Sequence, residues 1–127
     1  MNKIVRRSFL IGGCLTACLV AGTLLAQTKT PKTYWVTETL DISDQAAFLR
    51  TVPAVAPTVA KFGGRYIVLG GKISAHIGPE PKRITIIEFD SPDKAREWIA
   101  DPTAEAARSE VNKYAKVRNY IVEGVAN

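Results

Sequence analysis

Ser8 to Ala26 is an unbroken uncharged run, and from Thr33 onward the apolar residues recur first at a period of two and then at a helical period. Thr33 to Leu40, rich in β-branched and aromatic residues, predicts a strand. Tyr34, Val36, Glu38 and Leu40 share one face; Trp35, Thr37 and Thr39 share the other. Phe48, Val52, Val55, Val59 and Phe62 then form one helical stripe behind a start at Ser43-Asp44. Pro53 and Pro57 each remove a backbone donor, yet the stripe keeps its phase across both. The pattern predicts one kinked helix or two short ones in line, ended by Gly63.

Phe62 to Gly71 is where the helical pattern stops and an alternating one resumes. Its glycine pairs, Gly63-Gly64 and Gly70-Gly71, suit a helix C-terminus and a bent strand. Arg65 to Leu69 reads as a second strand, bulged at Gly70-Gly71 and continued by Lys72 to Ile77. Gly78 to Pro81 reads as a turn leading into an antiparallel third strand, Arg83 to Phe89, whose isoleucines suggest burial on both faces. Ser91-Pro92-Asp93 starts a helix with Ala95, Trp98 and Ile99 on its apolar side. Asp101-Pro102 repeats that chemistry before a stripe of Ala104, Ala107, Val111 and Tyr114. Val117 to Val122 is the last strand. The order is α+β: the ferredoxin-like split βαβ arrangement (βαββαβ), with a four-stranded antiparallel sheet and one helical layer. The uncovered sheet face also carries large apolar side chains and needs a cover. A second copy supplies it, which predicts a homodimer closing into a dimeric α+β barrel.

Ahead of this domain (33–127), and of a short polar linker (27–32), residues 1–26 have the layout of an export signal. A basic Met1 to Arg7 precedes the apolar run, so the expected location is periplasmic or secreted. Arg6-Arg7-Ser8-Phe9-Leu10 resembles the twin-arginine motif, which implies folding before export. Two readings compete with cleavage near Ala26. Leu15-Thr16-Ala17-Cys18 resembles a lipoprotein box that would acylate Cys18 and anchor the protein to a membrane, and the run is barely long enough to span a bilayer uncleaved. Membrane association is expected only through the leader or a lipidated Cys18.

Composition narrows the chemistry. The formal charge is +5, but three of the 17 basic residues lie in the leader, leaving 14 against 12 acidic and scattered along the domain. That distribution argues against nucleic acid as a partner. Both cysteines, Cys14 and Cys18, are in the leader, and His76 is the only histidine, so neither a disulfide framework nor a metal site is expected. No phosphate loop or nucleophile triad is present.

Phe62-Gly63-Gly64-Arg65-Tyr66, Gly70-Gly71, the Ile87-Glu88-Phe89 strand end, Ser91, Ala95, Trp98 and Val122-Glu123-Gly124 together resemble the domain of unknown function thirteen-thirty family, within the dimeric α+β barrel superfamily. The resemblance spans roughly Tyr34 to Gly124 and implies a ferredoxin-like protomer and a dimer, with no settled activity. The family's usual Ser-Pro-Glu-Tyr is Asp101-Pro102-Thr103-Ala104 here, without the aromatic. Relatives in the superfamily include cofactor-free monooxygenases, haem enzymes, isomerases and lyases, whose cavities place polar groups among apolar strands.

On that expectation Glu88, sharing a face with Ile84 and Ile86, is a candidate general acid or base whose pKa burial would raise; the alternative is an ion pair with Arg65, Arg83 or Lys72. Glu38, beside Val36, is a weaker candidate of the same kind. His76 is a candidate base or haem ligand, or simply a surface residue. Arg65 and Tyr66 are candidate ligand-binding groups on opposite strand faces, while Trp35 and Trp98 read as core or dimer contacts. The leading functional reading is a small organic ligand in an apolar cavity, with cofactor-independent catalysis if any. The other is a non-catalytic envelope or stress protein whose barrel serves assembly.

Overall fold

A computed structural model describes residues 29–126, so the expected export signal, with Cys18, lies outside the described residues. The elements are β1 (Thr33–Ile42), α1 (Gln45–Thr51), a 3-10 turn (Val52–Ala54), α2 (Ala56–Lys61), β2 (Arg65–Leu69), β3 (Arg83–Phe89), α3 (Pro92–Ala100), α4 (Pro102–Asn112) and β4 (Ala115–Glu123). The sheet order is β2-β3-β1-β4, antiparallel throughout. The fold is ferredoxin-like, with one helical layer on one sheet face.

Among the described residues, three of the four α-helices, α1, α3 and α4, begin where a side chain satisfies a free amide. Asp44 Oδ1 accepts from the Ala47 amide at 3.0 Å, Ser91 Oγ from Lys94 at 3.2 Å, and Asp101 Oδ2 from Ala104 at 2.9 Å. Pro92 and Pro102 occupy first-turn positions where a missing N–H costs nothing. Pro53 and Pro57 fall in the first turns of the 3-10 turn and of α2, so the long stripe becomes two short helices joined in line.

The glycine pair after α2 has a specific geometry. The Gly64 amide donates to Val59 O and the Gly63 amide to Ala60 O, each at 3.0 Å, with Gly63 at φ +71°. These are the paired bonds of a Schellman ending, which requires the left-handed conformation at Gly63. Gly64 serves a different need: a Cβ there would lie 2.7 Å from Phe89 Cε1 and 2.8 Å from Val59 Cγ1, both in the core.

Across the sheet the register sorts side chains into rows. On the helix-covered face run Tyr66–Ile87–Trp35–Ile121, Leu69–Thr85–Thr37–Asn119 and Arg83–Thr39–Val117. On the open face run Arg65–Glu88–Tyr34–Val122, Val68–Ile86–Val36–Tyr120 and Ile84–Glu38–Arg118. A bulge at Ile67 makes this sorting possible in β2, because it shifts the alternation and puts both Tyr66 and Leu69 under the helices. The core comprises Val59, Ile87, Phe89, Ala95, Trp98 and Ala104, with Trp35, Val55, Phe62, Tyr66 and Ile99 packed around it.

The continuation of β2 through Lys72 to Ile77 does not form. Gly70, at φ +65°, gives its amide to Ile84 O at 2.9 Å and turns the chain away, and residues 71–80 are largely exposed. With β2 at the sheet edge, that segment has no strand to pair with.

Substituting Gly64→Ala should cost about 1–3 kcal/mol through overpacking against Phe89 and Val59. Urea denaturation measures it; an unchanged midpoint would show that the core yields at no cost.

Candidate functional site

Between the sheet and the helices lies a cavity of about 80 Å3. The strands supply its floor: Trp35, Thr37 and Thr39 from β1, Arg83, Thr85 and Ile87 from β3, Tyr66 and Leu69 from β2, and Val117 and Asn119 from β4. Its roof is Phe48, Val52 and Val55 from the first helical segment, Trp98 from α3, and Arg108, Val111 and Asn112 from α4. The polar floor residues are there because β1 alternates Trp-Thr-Thr on its covered face, opposite Thr85 and Asn119. Ligand sites usually combine such apolar walls with a few convergent polar groups, though in volumes of roughly 300–1,000 Å3. The space here suits a small guest.

Two guanidinium groups border the cavity and no carboxylate does. Arg108 stacks on Trp98, 4.3 Å from the ring centroid, and reaches toward Trp35 at 5.6 Å. It also donates to Trp98 O at 3.4 Å and Ile99 O at 2.8 Å, closing off carbonyls at the C-terminus of α3. Burial lowers its pKa, opposed by Glu105 and Asp101 farther off, and arginine remains charged. Arg83 lies 5.8 Å from the Phe48 ring centroid and packs over Gly70, where a Cβ would fall 2.3 Å from its Nη1. Burial pushes the Tyr66 hydroxyl up, with Arg83 pulling partly back, so Tyr66 is a neutral hydrogen-bond donor at ordinary pH.

Of the candidate catalytic and ligand-binding residues, Tyr66 lines this cavity and Glu38, Arg65, His76 and Glu88 do not; Trp35 and Trp98, read as core, line it too. Glu88 is on the open face, its side chain only 12 % exposed, bridging Lys32 Nζ at 2.8 Å and the Arg65 guanidinium. The Lys32 hydrogen bond, joined by Arg65, holds its carboxyl below the usual range against the opposing effect of burial. This corrects the expectation of a raised pKa: the cations across the strand and in the preceding segment outweigh desolvation. Glu38, also on the open face, pairs with Arg118 (2.6 Å to Nη2) and accepts from Tyr120 Oη at 3.4 Å. His76 sits exposed in the loop after β2, away from the cavity wall that a haem ligand would have to occupy. Among the described residues no three His, Cys, Asp or Glu side chains converge as metal ligands.

Arg108 and Arg83 were not singled out as ligand groups from sequence, although each interrupts an apolar pattern. Arg108 stands four residues after Ala104 and three before Val111 on the α4 stripe, and Arg83 shares a β3 face with Thr85, Ile87 and Phe89.

The profile of the family described as Domain of unknown function (DUF1330) matches residues 32–125. The chain belongs to this family. No curated protein matches it. Among solved structures, it is similar to a protein of unknown function from Rhodopseudomonas palustris (16 % identity, TM-score 0.59, covering 80 % of this chain and 88 % of that one). It is also similar to a cofactor-independent oxygenase from Streptomyces nogalater (11 %, TM-score 0.57, 77 % and 97 %) and to an ethd family protein from Bacillus halodurans (13 %, TM-score 0.54, 74 % and 99 %). At these identities the likeness concerns the fold. The signature Phe-Gly-Gly-Arg-Tyr of this DUF1330 chain now has physical content: helix ending, close packing, an ion pair outward and a cavity hydroxyl inward.

The Glu88 pairing sets a pH dependence. Its folded-state pKa lies below the unfolded value of about 4.3, so its contribution is present above that pH and is lost as pH falls through the folded value. Glu88→Gln should therefore be less stable than wild type at pH 7, and the gap should be smaller at pH 3, below the unfolded value. Urea midpoints at both pH values test this; a gap independent of pH would mean the carboxylate's charge is not what stabilises.

Proposed function

We propose that the protein is exported, pairs with a second copy through its open sheet face, and binds a small organic molecule in the cavity between sheet and helices. The observation that carries the binding reading is the cavity itself, lined by Tyr66, three threonines and two arginines among aromatic walls. One structural neighbour, the Streptomyces nogalater protein, is a cofactor-independent oxygenase, which supports a cofactor-independent reaction here. Tyr66, neutral and a donor, would polarise a ligand carbonyl.

The pairing reading rests on the row Val68–Ile86–Val36–Tyr120 with Val122 beside it, apolar side chains facing away from the helices. A second copy laid on that row would remove them from water. The Glu88–Arg65–Lys32 and Glu38–Arg118 clusters then flank the interface and fix its register. Glu88 so fully paired favours the second reading as well, in which the barrel serves assembly and carries no catalyst.

Native mass spectrometry of the protein isolated from its own host's envelope tests both. A dimer with additional mass identifies the ligand; an empty dimer moves the balance to assembly; a monomer sinks the pairing. Ile86→Arg, which places a charge at the centre of the open face, should yield a folded monomer in sedimentation. A persistent dimer would put the interface elsewhere.

A further inference from the structure

We infer that the cavity takes a small organic carboxylate, its anionic end held by Arg83 and Arg108 and its flat apolar body against Trp35 and Trp98. This rests on the binding reading above and names the class of guest. The charged groups lining the space are the two guanidiniums alone. Among the described residues neither takes part in an ion pair, nor does the exposed Arg50, whereas Arg65, Arg96 and Arg118 each do. Arg83 also borders an open groove containing Asp41 and Lys82, yet no ion pair with Asp41 forms.

A positive, carboxylate-free cavity repels cationic guests, and a neutral guest would leave charged donors without an acceptor. Two of the five N–H groups of Arg108 serve α3 carbonyls, which leaves donors free for a ligand oxygen. A guanidinium fork matches the planar carboxylate better than it matches a point acceptor. Tyr66 and the three threonines add neutral donors to the same wall. Size limits the body: about 80 Å3 is roughly five to eight times what one water needs, so the guest is a single-ring or short-chain acid.

The protein carries its own reporter. It has two tryptophans, and both line the cavity. Titration of the full-length protein at pH 7 with benzoate and butyrate, each against its neutral amide, and with inorganic phosphate, is followed by tryptophan emission. The expected result is saturable change with benzoate or butyrate at least about tenfold tighter than benzamide or butyramide, and no response to phosphate. In Arg83→Gln, carboxylate affinity should fall about tenfold while amide affinity stays within about twofold. Should that variant not fold, the acid-against-amide comparison in the wild type decides. Equal binding of acids and amides overturns the carboxylate assignment and leaves the binding reading standing. Phosphate binding more tightly than benzoate also overturns it, in favour of a tetrahedral anion site. Silence toward every probe overturns both readings.

Discussion

The indole of Trp98 ties three parts of the helical layer to the sheet. It is fully buried, meets Trp35 edge-on at 5.1 Å, and lies 5.4 Å from Phe89. Its Nε1 donates to Thr58 Oγ1 at 3.0 Å, which holds α2, and Arg108 of α4 covers its ring. Truncating a core tryptophan typically costs about 3–5 kcal/mol, and here the loss would also free Arg108 and remove the donor that ties the Thr58 hydroxyl to α3. The cavity lies beside this large side chain, between the helices and the Thr37 and Thr39 positions of β1.

The sheet's two faces carry different electrostatics, and the strand register decides which. Outward, every acid is matched: Glu88 stands directly across from Arg65, and Glu38 from Arg118. Inward, arginine is present and acid is not. A single-residue slip of β2 would reverse this arrangement, carrying Arg65 under the helices and Tyr66 out. The bulge at Ile67 and the Schellman ending at Gly63-Gly64 fix that register from both sides, so the glycines after α2 bear on the cavity although they do not line it.

Much of this was legible in the sequence wherever the determinant is local. Alternation in Thr33 to Thr39 assigns both faces of β1 up to the bulge at Leu40, the Ser91-Pro92 and Asp101-Pro102 pairs start α3 and α4, and Gly63 ends α2. Strand pairing is not local. Lys72 to Ile77 has the composition of a strand but no neighbour at the sheet edge, and Glu88 looks like a buried catalytic acid until Arg65 and Lys32 are brought beside it. Arg108 was illegible for a related reason: a charged residue on a helix stripe reads as solvated, and only the packing of α4 over Trp98 brings it inward.

Arg108 invites a purely structural account, because it closes the end of α3 and stacks on an indole. That account explains its position but leaves Arg83 unexplained. Arg83 makes no ion pair, rests on Gly70 and Phe48, and stands near enough to Tyr66 to pull down the pKa of its hydroxyl. Stability alone would favour an apolar or acid-paired residue at the start of β3, since a partly desolvated cation without a partner is costly. An arginine kept there, with a second across the cavity roof and no carboxylate lining the space between them, is an arrangement whose electrostatic cost falls when an anion enters.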